Sequence, residues 1–327
     1  MQCEPARQVY RTWMIDSRRW SPYRPRSGDV IIATYPKCGT TWMQRIVGLL
    51  IFQSPEPRPV GEIAAWVDRR LDPLEAIMHG LESQSHRRFL KSHLPFDGMP
   101  IYSDVRYIHV ARDGRDACLS YHNQITRFRE DTLRVLDAIG LRDELTGRTY
   151  PRVATDPRAY FRMWMQEGVA GASDGSPYLS YFDFERTYWQ ARRRANLVMV
   201  HYRDLKSDLD QEMRRIARFL DIAVCEEIWP SLVKAATFEE MRREGAKLAP
   251  RVMTLFSGGS ADFFQKGEND RWRGILTSEA STSTSRRYPG GFHNRALVGF
   301  GTAAERTWSR SKQTTDPASI GCSNAET

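Results

Sequence analysis

At 327 residues and a formal charge of +8 at pH 7, the chain is long enough for one α/β domain with insertions or for two average domains, and its basic balance favours anionic or phosphorylated ligands. Five cysteines, Cys3, Cys38, Cys118, Cys225 and Cys322, are odd in number, scattered and never spaced C-x-x-C, which argues against a disulfide framework and a zinc site and for a reduced cytoplasm. The N-terminus lacks an apolar run behind a basic start and no eighteen consecutive apolar residues occur, so the expectation is a soluble, non-exported protein without a membrane span.

Residues 1–28 are basic and aromatic and end in "SPYRPRSGD", a Pro- and Gly-punctuated lead-in. "DVIIAT", Asp29 to Thr34, is a short β-branched run suited to a strand buried on both faces of a parallel sheet. "TTWMQRIVGLLIF" follows with apolar residues at helical spacing, starting at a threonine able to cap it. The arrangement recurs: "RYIHVA", Arg106 to Ala111, reads as a strand, "RDGRD" as a turn and "ACLSYHNQI" as a helix. "RRFLKSH" (Arg87 to His93) and "ANLVMVHY" (Ala195 to Tyr202) are further strand candidates, and "LDQEMRRIARFL" (Leu209 to Leu220) is a helix between such units. The alternation predicts a single α/β domain over 29–278, a central parallel sheet flanked by helices. Two less regular stretches, Pro55 to Glu82 and Arg127 to Gln190, are rich in aromatics and fit either packing helices or walls of a substrate pocket. Residues 279–327 are Ser-, Thr-, Gly- and Arg-rich without periodicity and read as a polar tail.

A loop that opens into a helix presents unpaired N–H groups to a phosphate. "PKCGTT" is placed for that: Gly39 permits close backbone approach, Thr40 and Thr41 add hydroxyls, and Lys37 adds a positive charge. The loop alone fits an ordinary strand-to-helix turn with an exposed lysine as well as it fits a phosphate site. A nucleoside triphosphatase loop, G-x-x-x-x-G-K-[ST], is excluded because no lysine follows the glycine.

The order Tyr-Pro-Lys-Cys-Gly-Thr-Thr-Trp resembles the 5′-phosphosulfate loop of the cytosolic-type sulfotransferase family, here as a bacterial member, which uses 3′-phosphoadenosine 5′-phosphosulfate (PAPS). Other motifs follow in the family's order. "LKSHLPFD", Leu90 to Asp97, is similar to the segment carrying the catalytic histidine, and "YIHVARDGRDACLSY", Tyr107 to Tyr121, to the 3′-phosphate motif with Arg112 and Ser120. "VHYRDLKSD" places Tyr202 at the adenine side, "ATFEEM" with Thr237 and Phe238 matches a segment edging the base, and "FFQKGENDRW" resembles the closing R-K-G-x-x-G-x-W motif. There Gln265 replaces the arginine, leaving Lys266 and Gly267, with Arg271 or Arg273 as possible compensation. Cys38 stands where serine is frequent.

The resemblance, which runs from about residue 20 to 278, implies a sulfotransferase fold with a P-loop-like phosphosulfate loop. It also implies sulfuryl transfer from PAPS to a hydroxyl acceptor by in-line displacement, with adenosine 3′,5′-bisphosphate (PAP) as product. It makes His93 the general base and sets Lys37 at the bridging oxygen; Lys91, two residues before His93 and on the same face of a continuing strand, adds charge at the transferring group. Lys37, Cys38, Gly39, Thr40, Thr41 and Trp42 are expected at the 5′ end, Trp42 either stacking on the adenine or serving as core. PAPS carries negative groups at two places, so each of the two strand-to-helix turns is expected to supply one phosphate site, Arg112 with a bidentate fork and Ser120 with a hydroxyl.

No carboxylate and histidine cluster has metal-ligand spacing, so no metal is expected. Acids interleave the basic residues throughout, as in "RFREDTLR", which excludes a duplex-binding stripe. The expected partner is a small-molecule hydroxyl acceptor, an apolar or aromatic alcohol, with phenols, steroids, lipids and glycolipids all open. The remaining alternatives are a catalytically impaired PAPS or PAP binder and a small-molecule kinase; the latter needs a Walker-type lysine and a magnesium carboxylate that are not placed. The family's dimer motif is not recognisable in "RWRGILTSEA", which leaves oligomeric state open.

Overall fold

The computed structural model describes residues 1–144, 147–167, 180–257 and 267–276. Gln265, Lys266 and the tail from 279 lie outside the described residues.

The strands form where the β-branched runs predict them. β1 (Val30–Ala33) is buried along its whole length and leads through a tight loop into α1 (Thr40–Phe52). After α2 (Leu74–Glu82) come β2 (Phe89–Ser92) and β3 (Arg106–Ala111), and β3 feeds α3 (Gly114–Ile125). Helices α4 (Glu130–Leu141), α5 (Pro157–Glu167) and α6 (Tyr181–Ala191) precede β4 (Leu197–His201), which is followed by a short helical turn at Tyr202–Ser207, α7 (Leu209–Phe219) and α8 (Phe238–Arg243). The sheet order is β2-β1-β3-β4 with every pair parallel.

Successive strand residues point to opposite faces, so the sheet divides the core in two. Val30, Ile32, Ile108, Val110, Val198 and Val200 pack with Met43, Ile46 and Leu50 of α1 and Met213 and Ile216 of α7. Ile31, Ala33, Leu90 and Tyr107 pack on the other side with Ala117 and Tyr121 of α3 and an aromatic block from α5 and α6 that includes Tyr160, Phe161, Trp164, Phe184 and Tyr188. The stretch at 127–190 is therefore mainly packing helices, with the aromatic rings as their buried stripe. The lead-in also enters this core through Trp13, Ile15, Trp20 and Tyr23, and Cys3–Glu4 pairs antiparallel with Ile101–Tyr102.

One local expectation is corrected. Thr40 does not cap α1: the cap position is Gly39 at φ 104°, a left-handed conformation that favours glycine, and no side chain bonds the helix start. The Thr40 hydroxyl instead bonds that of Thr34 at 2.5 Å.

Candidate functional site

In a parallel sheet, ligands lie beyond the carboxyl ends of the strands, because the turns and helix starts there are free to meet them. The register sets Ser92, Ala33 and His109 side by side, with Ala111 opposite His201. The residues that follow the strands consequently fall in strand order along one edge: His93 after β2, Lys37 after β1, Arg112 after β3 and Tyr202 after β4. A cavity of about 620 Å³ lies along this edge and is lined by all four.

At the β1 turn, Lys37 takes φ 69° and Gly39 has no room for a side chain, since a Cβ there would lie 2.9 Å from the Tyr202 ring. The start of α1 is left uncapped by any side chain, so the amides of Thr40, Thr41 and Trp42 face the cavity end of the helix dipole, the arrangement that binds anions. Burial, with Arg112 nearby, pushes Lys37 down to about 7. Cys38 turns away. Its side chain is fully buried, its amide donates to the Tyr35 carbonyl at 3.2 Å and its sulfur meets the backbone amide of Arg112, so it ties the two turns together and does not line the cavity.

At the β3 turn the helix start is already occupied. Asp113 caps α3, accepting from Arg115 N at 2.9 Å and from its Nε at 3.0 Å. What this turn presents to the cavity is therefore side chains, Arg112 and Ser120, both on its wall. The two turns are thus not equivalent: one presents open helix amides and the other side chains. Arg112 lies 4.3 Å over the Tyr202 ring and donates to the Lys37 carbonyl at 3.2 Å and the Glu268 carbonyl at 2.7 Å. Its buried Nε has no hydrogen-bond partner among the described residues, which suits a bound anion.

His93 is 6% exposed, and Nδ1 lies 2.7 Å from the Thr34 carbonyl. A carbonyl only accepts, so Nδ1 carries the proton and Nε2 keeps its lone pair. Burial first, then the charges of Lys91 and Lys37, hold the imidazole well below its ordinary range, with the Thr34 bond opposing them. The group is neutral at physiological pH and able to accept a proton. Lys91, pushed down to about 7 by burial and then by Arg69, sets its ammonium 3.9 Å over the Trp66 ring.

The remaining expected residues divide. Trp42 is chiefly a core residue: its Nε1 donates to the Ala236 carbonyl at 2.7 Å and its ring stands edge-on to Tyr202 at 5.1 Å, with one edge on the cavity. Phe238 and Gly267 line the cavity against each other, Gly267 at φ 60° with no space for a Cβ beside the Phe238 ring. Thr237 is not in the wall. It caps α8, its hydroxyl accepting from Glu240 N and donating to the Lys234 carbonyl, and so orients Phe238. Arg271 lines the cavity whereas Arg273 faces Asp270.

The sequence leaves the stretch with Trp66 open between core and pocket wall and does not single out Arg69; both line the cavity. The stretch at 55–82, with Val60, Ala64, Leu71 and Ile77, forms an apolar wall beyond β2. Trp66 forms a parallel bridge with Lys91, which seats this wall at the sheet edge next to His93. No local signal marks that contact, because its partners lie 25 residues apart in sequence. Among the described residues no group of His, Cys, Asp and Glu is arranged to hold a metal, and no helix is long and apolar enough to cross a membrane.

A family model for the sulfotransferase domain matches residues 27–290. A glycolipid sulfotransferase of Mycobacterium tuberculosis is 33% identical over 287 residues, covering 83% of this chain and 87% of the relative. Sulfotransferase 1B1 of Mus musculus is 24% identical over 271 residues, covering 79% and 81%. Among solved structures, retinol dehydratase in complex with androsterone and inactive cofactor PAP superimposes with a TM-score of 0.61 at 19% identity, covering 94% of this chain and 88% of that one. The cavity stands on a fold those proteins share, and the chain belongs to the sulfotransferase family.

Proposed function

We propose that the chain transfers a sulfuryl group from PAPS to the hydroxyl of an apolar or amphiphilic acceptor, releasing PAP. The observation that carries this reading is the order of groups along the sheet edge. Tyr202, Trp42 and Phe238 offer an aromatic seat for the adenine, Arg112 and Ser120 a site for the 3′-phosphate, and the uncapped α1 with Lys37 a site for the 5′-phosphosulfate. His93 and Lys91 come next, and the apolar wall of 59–80 lies beyond them. A donor laid along this edge points its sulfur toward His93, with the acceptor arriving from the apolar side.

The acceptor oxygen attacks sulfur as its proton passes to His93 Nε2, and the electron pair of the broken sulfur–oxygen bond goes to the phosphate oxygen, where Lys37 meets the growing charge. The bond from Nδ1 to Thr34 supports the imidazolium that results.

A glycolipid acceptor is supported by the mycobacterial relative's name and by the apolar wall. The buried, unpaired Cys38 and Cys118 agree with the reduced cytoplasm that this reading includes. Sulfur-35 PAPS incubated with a panel of glycolipids, sterols and phenols tests the proposal. Radiolabel transferred to a lipid-linked hydroxyl supports it, and donor binding without transfer to any member favours an impaired binder.

A further inference from the structure

We propose that Asp68 is a positioning residue of the transfer site: its buried carboxylate fixes the backbone of His93 and, through the Trp66 indole, the ammonium of Lys91. The roles of His93 and Lys91 rest on the transfer reading above; the hub's geometry is independent of it.

Asp68 is fully buried and does not line the cavity. Four donors converge on it. Oδ2 accepts from Trp66 Nε1 at 2.8 Å and from His93 N at 3.1 Å, and Oδ1 accepts from Trp20 Nε1 at 3.3 Å. The Ser92 hydroxyl, which accepts from Leu94 N at 3.1 Å, is left to donate to the same carboxylate. Burial raises the Asp68 carboxyl above its ordinary range and the converging hydrogen bonds oppose that shift; since every partner is a donor, the ionised form is the one that satisfies them all.

Trp66 is where the hub reaches the cavity. The Lys91 amide donates to the Ala65 carbonyl at 2.8 Å, and Trp66 bridges Lys91 in parallel, so residues 65–68 extend the sheet alongside β2. The indole stands at 86° to the His93 ring with centroids 4.9 Å apart, and its face receives Lys91 Nζ. The bond from Nε1 to Asp68 fixes the plane of that ring. Rotation of the indole would move the ammonium and disturb the T-shaped contact with the imidazole. One carboxylate thus holds both His93 and Lys91 in place without touching either side chain.

Two variants test this, Asp68→Asn, which keeps the volume but sets an amide N–H against a donor, and Trp66→Phe, which keeps a ring but lacks Nε1. The expectation for Asp68→Asn is a fall in kcat of about 10²-fold, as a misplaced reacting group produces, with acceptor KM and PAP affinity near wild type. Trp66→Phe should reproduce the fall in kcat. An unchanged kcat in Asp68→Asn, or a loss that tracks loss of PAP affinity and hence general damage, would overturn the proposal. If the wild-type protein transfers no sulfuryl group, the transfer reading fails by itself. The hub is then judged from the imidazole ¹⁵N signals of His93, assigned against His93→Asn: a shift in Asp68→Asn supports it and superimposed signals contradict it.

Discussion

The β1 and β3 turns look alike in sequence, each a strand, a short polar turn and a helix, yet they present different groups to the cavity. At the first, glycine occupies the cap and leaves the α1 amides open. At the second, Asp113 occupies its own helix start, so the positive end of that dipole is spent within the protein and a guanidinium takes over. A cap residue with its own acceptor takes up a helix-start N–H that an anion could otherwise use, whereas a glycine cap leaves it open. The difference also matches the proposed chemistry, in which the reacting phosphosulfate would meet oriented amides and Lys37, and the 3′-phosphate, which does not react, would meet the Arg112 guanidinium through its Nε, unpartnered among the described residues.

The largest effect should come from a third place along the edge. His93→Asn removes the proposed proton acceptor beside the β1 turn and should lower kcat by about 10²- to 10⁴-fold while leaving PAP titrations unchanged; a parallel loss of PAP affinity would assign His93 to binding. Gly39→Ala forces φ 104° on a residue with a Cβ and presses it on Tyr202, a strain of about 1–3 kcal/mol, so PAP affinity should fall at least severalfold. An unchanged dissociation constant would show that the open α1 amides are not what holds the 5′ end. Arg112→Lys keeps the charge but loses the Nε left unpartnered among the described residues and the two carbonyl bonds that aim it, and calorimetry should show PAP weakened about tenfold and 5′-AMP little changed.

The free site holds Lys37 and Lys91 near 7, and a bound polyanion raises both. Binding therefore takes up protons above pH 7, and affinity should drop as pH rises, by up to about tenfold per pH unit for each lysine. Titrations at pH 8 in buffers of different ionisation enthalpy measure the uptake; identical heats would contradict it. The smallest effect sharpens the contrast between the turns. Asp113→Ala should cost about 1 kcal/mol of stability in denaturant melts and leave PAP affinity near wild type, because that cap faces its own helix.

The sheet was legible because its strands are short apolar runs buried on both faces, and the phosphate turn because Gly and Lys sit at a strand-to-helix junction. The two aromatic stretches were not separable, since burial between helices and burial against a cavity select the same side chains. Only the pairing of Trp66 with Lys91 assigns the stretch at 55–82 to the cavity wall, and only the docking of Trp164, Phe184 and Tyr188 assigns most of 127–190 to the core. The inward turn of Cys38 and the capping role of Thr237 follow from loop geometry that residue types do not encode.

The central claim is that the β3 turn reads a 3′-phosphate beside a 5′ site at β1. Calorimetric titration of wild type and Arg112→Ala with PAP, 5′-AMP and ATP tests it most directly. Wild type should prefer PAP over both, and Arg112→Ala should lose this preference while still binding 5′-AMP. Equal binding of PAP and ATP, or a preference that survives the substitution, would contradict it.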